Sequence, residues 1–134
     1  MDILQIYGNQ LKLARDEFTH LIESGEIVYT PSGLPLKLRL TLIDASLIDI
    51  FLSSSGRYSY HWERRHIDGT IYRHDNAPHE RWRRIETFPK HFHNSAEADE
   101  NCEPSYIADQ PEEALRGFLR FIHDTLGSPP FSER

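Results

Sequence analysis

The sequence predicts an α+β fold, a curved antiparallel β-meander packed against one helix at each chain end. Three observations predict it. Apolar residues recur every three or four positions in the first stretch, every two positions in the middle, and every three or four again in the last. At 134 residues the chain suits a single domain, 1–134, with one core. The expected parts are a helix over 1–24, a sheet with a histidine-rich loop over 26–93, and a helix over 109–127.

The opening segment, "MDILQIYGNQLKLARDEFTHLIESG", places Leu4, Tyr7, Leu11, Ala14, Phe18 and Leu21 on one stripe. Asp2 with Gln5 resembles a capping box, and Gly25 is the expected stop. Such a stripe packs on a sheet. It is also long enough for a coiled-coil seam with a partner helix or a second copy of the chain. "EIVYT", ahead of Pro31, adds a strand. "PLKLRLTL" then sends Leu36, Leu38, Leu40 and Leu42 to one face and Lys37, Arg39 and Thr41 to the other, as a half-buried antiparallel strand does. "SLIDIFL" follows a turn around Asp44, "RYSYHWERR" follows the Ser53–Gly56 turn, and "TIYRHD" follows "IDG".

The "IDG" turn suits a three-residue hairpin loop with Gly69 in the left-handed position. That register sets Trp62 opposite His74, His61 opposite Asp75, Glu63 opposite Arg73 and Arg65 opposite Ile71. Tyr60, Trp62, Tyr72 and His74 share one face. A two-residue loop would oppose Arg64 to Arg73, a like-charge pair that costs stability. The three-residue register puts an imidazole beside a carboxylate, which fixes a tautomer and raises the histidine pKa, as acid–base chemistry requires.

From Asn76 to Pro104 the pattern fades. Pro78, Pro89, Pro104 and the polar run Asn94–Asn101 indicate a long functional loop or an ordered cover. "DQPEEALRGFLRFIHDTLG" reads as the last helix, with Asp109 as cap and an apolar face of Leu115, Phe118, Leu119, Ile122 and Leu126. "SPPFSER" reads as a frayed tail.

The formal charge of −6 argues against coating nucleic acid by bulk electrostatics. Arg57, Arg64, Arg65, Arg73, Arg81, Arg83, Arg84 and Lys90 nevertheless gather in the middle third, leaving room for a local basic surface. The single Cys102 excludes an internal disulfide and a zinc site built of cysteines. In the acidic run "EADENCEP" it reads as incidental. No signal-like pattern opens the chain, no apolar run reaches the ~20 residues of a membrane span, and a cytoplasmic protein is expected.

"YRHDNAPHERWRRIETFPKHFH" holds His74, His79, His91 and His93, four of the eight histidines. His91 and His93 project to one side of an extended strand, a metal-ligand spacing that His79, Asp75 or His61 could complete. The same cluster suits phosphate contact, and it equally suits plain structural histidines. "ERWRRIE" combines Arg81, Arg83 and Arg84 with Trp82, either as a platform for single-stranded nucleic acid or as a loop anchored by a buried Trp82. The sequence has no phosphate-cradling glycine loop and no Gly-x-Ser-x-Gly.

"YSYHW", "DGTIYRHDNAPH", "FPKHFH" and "EPS" together resemble the TumE-like family of small prokaryotic toxin–antitoxin-associated proteins. The resemblance spans roughly Tyr58 to Ser105. By it, His61, Arg73, Asp75, Asn76, His79, His91 and His93 fall on the family's polar positions. Glu80 and Lys90 stand where the family pattern has histidines, Phe92 replaces a basic residue, and "RWRR" lengthens the loop. The resemblance implies a toxin-like component with an antitoxin encoded beside it.

Three functions stay open on these residues. One is metal-independent acid–base cleavage of RNA. There His61 or His79 serves as base or acid, Asp75 orients His61, Arg73 holds the phosphate, and Asn76 and His91 stabilise charge. Another is a non-catalytic module that docks a partner or ligand through the histidine-rich loop. The third is a metal-binding protein; no cofactor is expected in the first two.

Overall fold

The computed structural model describes residues 2–95 and 102–127. Helix α1 (Ile3–Glu17) leads into strands β1 (Ile22–Tyr29), β2 (Pro35–Leu42), β3 (Leu47–Leu52) and β4 (Tyr58–Arg64). A helical turn, α2 (Arg65–Asp68), joins β4 to β5 (Thr70–Asp75). Then come β6 (His91–Asn94), β7 (Cys102–Pro104) and helix α3 (Pro111–Leu126). The strands form one sheet in sequence order, β1 to β7, each antiparallel to the next. This is the α+β meander with terminal helices that the periodicity predicts.

Both helices lie on one face of the sheet. The alternation of β2 holds: Leu38, Leu40 and Leu42 are buried there with Ile48, Ile50, Tyr60 and Trp62 from the next strands. They meet Tyr7, Leu13 and Ala14 of α1 and Leu115, Phe118, Leu119 and Ile122 of α3. The α1 stripe therefore packs inside its own chain, apart from Leu4 at its exposed end.

Several boundaries differ from the sequence reading. Asp2 caps α1 by accepting from the Gln5 amide at 3.0 Å, but the helix ends at Glu17 and Phe18 forms its C-cap. Gly25 is no helix stop; it lies within β1, opposite Leu40. Pairing with β2 gives residues from Ile22 onward backbone ladder partners, which outweighs helix propensity. A Cβ there would lie 2.5 Å from Leu11 Cδ1 and 2.9 Å from Leu40 Cδ2, so a larger residue would make those two leucine side chains shift. Gln110, not Asp109, caps α3 by accepting from the Glu113 amide. The presumed long loop after Asn76 contributes β6 and β7 to the sheet. Most of the polar run from 96 to 101 and the tail from 128 onward lie outside the described residues.

The hairpin register also needs correction. Trp62 pairs with Tyr72, His61 with Arg73, and Ser59 with Asp75. The loop is longer than three residues, because Arg65–Asp68 forms a helical turn closed by Gly69 at φ 81°. The reason is Arg64. Its buried guanidinium lies 4.8 Å above the Trp62 ring, with Nη1 donating to Asp44 and Nε to Asp68. Asp68 also accepts from the amide and hydroxyl of Thr70. A three-residue loop would pull these groups into the ladder and strand a buried charge. The slip is by two positions, so side chains keep their faces and change only their neighbours.

Tyr7 shows how closely α1 is keyed to the sheet. Its buried hydroxyl donates to the Leu36 carbonyl at 3.2 Å and accepts from the Leu52 amide at 2.8 Å. Tyr7→Phe strands both backbone groups and is expected to cost about 1–3 kcal/mol in urea-monitored unfolding. None of the described helices is long and apolar enough to cross a membrane.

Candidate functional site

The face opposite the helices carries a row of polar side chains. Cross-strand pairing aligns Glu26, Arg39, Asp49, His61, Arg73, His93 and Cys102, one from each strand. Directly paired residues share a face in an antiparallel sheet, so this row follows from register alone. Arg39 binds Asp49 through two hydrogen bonds of 2.8 Å, and Lys37 Nζ donates to the same carboxylate at 3.2 Å.

Beside this row lies a second one, in which Ser59 faces Asp75 and Asp75 faces His91. Asp75 is the hub. Its Oδ1 accepts from the Ala77 amide at 2.9 Å and lies 3.0 Å from His91 Nε2. Its Oδ2 accepts from Arg73 Nε at 3.0 Å and lies 3.8 Å from His93 Nε2. Burial alone would raise the Asp75 pKa; contacts with His91, His93 and the Ala77 amide outweigh it and hold the group well below the usual carboxylate range.

His91 Nδ1 lies 2.8 Å from the Pro89 carbonyl, which can only accept, so Nδ1 carries the proton. Burial opposes a second proton on this ring, but Asp75 and the Pro89 carbonyl together raise its pKa. The Nε2 atom is at ion-pair distance from Asp75, yet it is off-line and makes no hydrogen bond although buried. His93 is buried beside it, with the ring centroids 5.1 Å apart.

A roof closes over both rings. The short helical turn Glu80–Trp82 brings Trp82 to 5.7 Å from the His91 ring and 5.9 Å from the His93 ring, centroid to centroid. The Arg81 guanidinium lies over that indole, 5.3 Å from its centroid. Trp82 is thus an anchor for the loop. Cys102, opposite His93 on β7, has Sγ 3.1 Å from His93 Nδ1. Burial, reinforced by Asp75, pushes the Cys102 thiol up to about 12, so it is no thiolate nucleophile by itself.

The sequence-predicted residues therefore divide. Arg73, Asp75 and His91 come together, and His93 joins them. His61 lies next to Arg73 in the adjoining strand, but its carboxylate partner is Glu63, at 3.1 Å from Nε2, and not Asp75. Arg65 holds Glu63 ionised, with its pKa lowered to about 2. Burial lowers the His61 pKa more than Glu63 raises it, and Arg73 and Arg65 add to the lowering. Asn76 is engaged elsewhere: its Oδ1 accepts from the Tyr58 amide and its Nδ2 donates to the Gly56 carbonyl, both at 2.9 Å. It clamps the end of β5 to the β3–β4 turn. His79 is exposed at the start of the roof, where its carbonyl accepts from the Trp82 amide.

The expected basic surface is largely neutralised. Arg64, Arg65, Arg73, Arg83 and Lys90 each pair with a carboxylate. Two contributors escaped the sequence reading: Cys102, judged incidental, and Trp82 in its role over the histidines. Only the pairing of β6 with β7 reveals the first. His74 falls on the opposite face, stacked on Phe92 at 4.1 Å, and burial drops its pKa to about 4. It is a neutral core residue.

Comparison with known proteins adds one finding. The family model described as Toxin TumE matches residues 10–126, which include the row, the Asp75 hub and the roof. Neither the curated proteins nor the solved structures gave a match. The chain belongs to the TumE toxin family.

Proposed function

We propose that this protein is the toxin of a toxin–antitoxin pair, acts in the cytoplasm, and cleaves RNA by acid–base chemistry with no metal ion on the scissile phosphate. RNA carries its own nucleophile, the 2′-hydroxyl. The protein then has to supply a base, an acid and a cation for the phosphate. The single observation that supports this reading is the pairing of His61 directly opposite Arg73 on the sheet face away from the helices.

In this reading His61, held by Glu63, takes the 2′-hydroxyl proton. Arg73 binds the phosphate, and Asp75 acts as a positioning residue by holding Arg73 Nε. His91 keeps Asp75 in place, Asn76 fixes the root of the loop, and His79 is the exposed acid for the leaving oxygen. The assignment of Asp75 differs from the sequence expectation because Glu63 takes over the orientation of His61. The binding-module alternative loses its main support, since His91 and His93 are buried under Trp82 and present no docking surface.

Purified protein incubated with end-labelled RNA is expected to give fragments ending in 2′,3′-cyclic phosphate. Arg73→Ala should lower the rate by about 10²–10³-fold, the scale for loss of a charge-stabilising donor, with partial recovery in Arg73→Lys. Induced expression of the same variants should reproduce that order in growth arrest. Full growth arrest by Arg73→Ala, or intact RNA at every enzyme concentration, overturns the reading.

A further inference from the structure

The ligand-bearing atoms of His91, His93 and Cys102 lie within 4.8 Å of one another, on adjacent antiparallel strands and beneath an indole. We propose that this three-residue cluster, with the Asp75 carboxylate beside its two histidines, is a closed binding site for a zinc(II) ion. It is distinct from the His61–Arg73 pair and stands whether or not the protein cleaves RNA.

The ligand set suits that ion. Zinc takes four ligands of nitrogen, sulfur or carboxylate type in structural sites. With bonds of ~2.3 Å to sulfur and ~2.05 Å to nitrogen at a tetrahedral angle, the two donors stand ~3.6 Å apart. Cys102 Sγ lies 3.6 Å from His93 Nε2. Asp75 Oδ2 lies 3.8 Å from the same nitrogen, and Asp75 Oδ1 lies 3.0 Å from His91 Nε2.

An independent observation points to an absent ligand. His91 is 1 % exposed, and its Nε2 makes no hydrogen bond. Its other nitrogen donates to the Pro89 carbonyl, the orientation that leaves a lone pair on Nε2 and is habitual for histidines bound to metal. Arg73 Nε on Asp75 Oδ2 supplies a corresponding outer contact for the carboxylate. Binding releases the Cys102 thiol proton to the buffer, and zinc–thiolate coordination replaces the S–H bond, with no change of oxidation state.

The site also has a structural use. The edge strand β7 spans only Cys102–Pro104, and a three-residue ladder holds an edge weakly. A zinc ion would tie β7 to β6 and both to the end of β5.

Full-length protein purified without chelator or affinity metal is expected to contain one zinc per chain by elemental analysis. After removal of zinc and addition of cobalt(II), it should show the thiolate-to-cobalt band in the near ultraviolet and the visible bands of tetrahedral cobalt. Cys102→Ala should remove the near-ultraviolet band, and His93→Ala should remove stoichiometric binding. Wild-type protein gives a measurement free of folding effects: the Cys102 thiol should react with an aromatic disulfide reagent more slowly with one equivalent of zinc(II) than without metal. Folded protein that takes up neither ion, or a thiol whose reactivity ignores zinc, overturns the site. RNA cleavage is not among these readouts, so the two proposals fail separately.

Discussion

His61→Ala is expected to lower RNA cleavage by about 10²–10⁴-fold, the usual contribution of a positioned base, while the protein stays folded. His61 sits in β4 with its side chain 13 % exposed and makes one side-chain hydrogen bond, to Glu63. That bond lies on the polar face, away from the core, so its loss leaves the helix-covered sheet intact. The pH profile gives a second, sharper test. Asp49 and Arg73 face His61 from the neighbouring strands, and Glu63 and Arg65 complete its charged surroundings. Their sum, with burial first, holds the ring below its ordinary value of 6.5. A base must be unprotonated, so the acid limb of the rate should fall below that pH. Glu63→Gln removes a contact that raises the pKa and should move the limb lower still. Arg73→Ala removes one that lowers it and should move the limb up. An acid limb that ignores both substitutions removes His61 as the base.

The fold was legible because its periodicity is strong. Four alternating leucines in "PLKLRLTL" and a helical stripe in each terminal segment leave little freedom in class or strand order. What local pattern does not encode is the register between strands. "IDG" carries a correct signal, the left-handed Gly69, but the loop length was decided by Arg64 reaching Asp44, a residue far away in sequence. The correct faces for His61, Arg73 and Asp75 were therefore predicted alongside wrong partners.

The short strands β6 and β7 were missed for a related reason. Three or four residues are too few for a period to show, and their pairing to β5 is a tertiary fact. Once that pairing is known, Asp75 opposite His91 and His93 opposite Cys102 follow directly. The histidine cluster was visible as composition, and its convergence on Asp75 is a consequence of β6 lying beside β5. Asn76 illustrates the opposite error. It sits inside the motif, next to Asp75, yet both ends of its amide hold backbone groups of the β3–β4 turn and the start of β4.

Asp75→Ala is expected to destabilise the fold by about 1–3 kcal/mol, the cost of leaving buried polar groups without their partner. The residue is only 6 % exposed, so solvent does little to replace it. Three groups lose their partner at once: the Ala77 amide, the half-exposed Arg73 guanidinium and the His91 ring. The Arg73 share is small because water screens that side chain, 38 % exposed. Most of the loss comes from His91, which has no route to water under Trp82. Asp75→Asn keeps an acceptor for the Ala77 amide but loses the carboxylate charge that Arg73 meets, and its loss should be intermediate. Urea unfolding in the presence of a chelator isolates these pairings, with a lower midpoint and an unchanged slope as the expected signature. A double-mutant cycle with His91→Ala should recover part of the loss, since removing the buried imidazole also removes the group that Asp75→Ala leaves unpaired. Strict additivity in that cycle, or a midpoint equal to wild type in Asp75→Ala, would show that the hub does not hold β5 and β6 together.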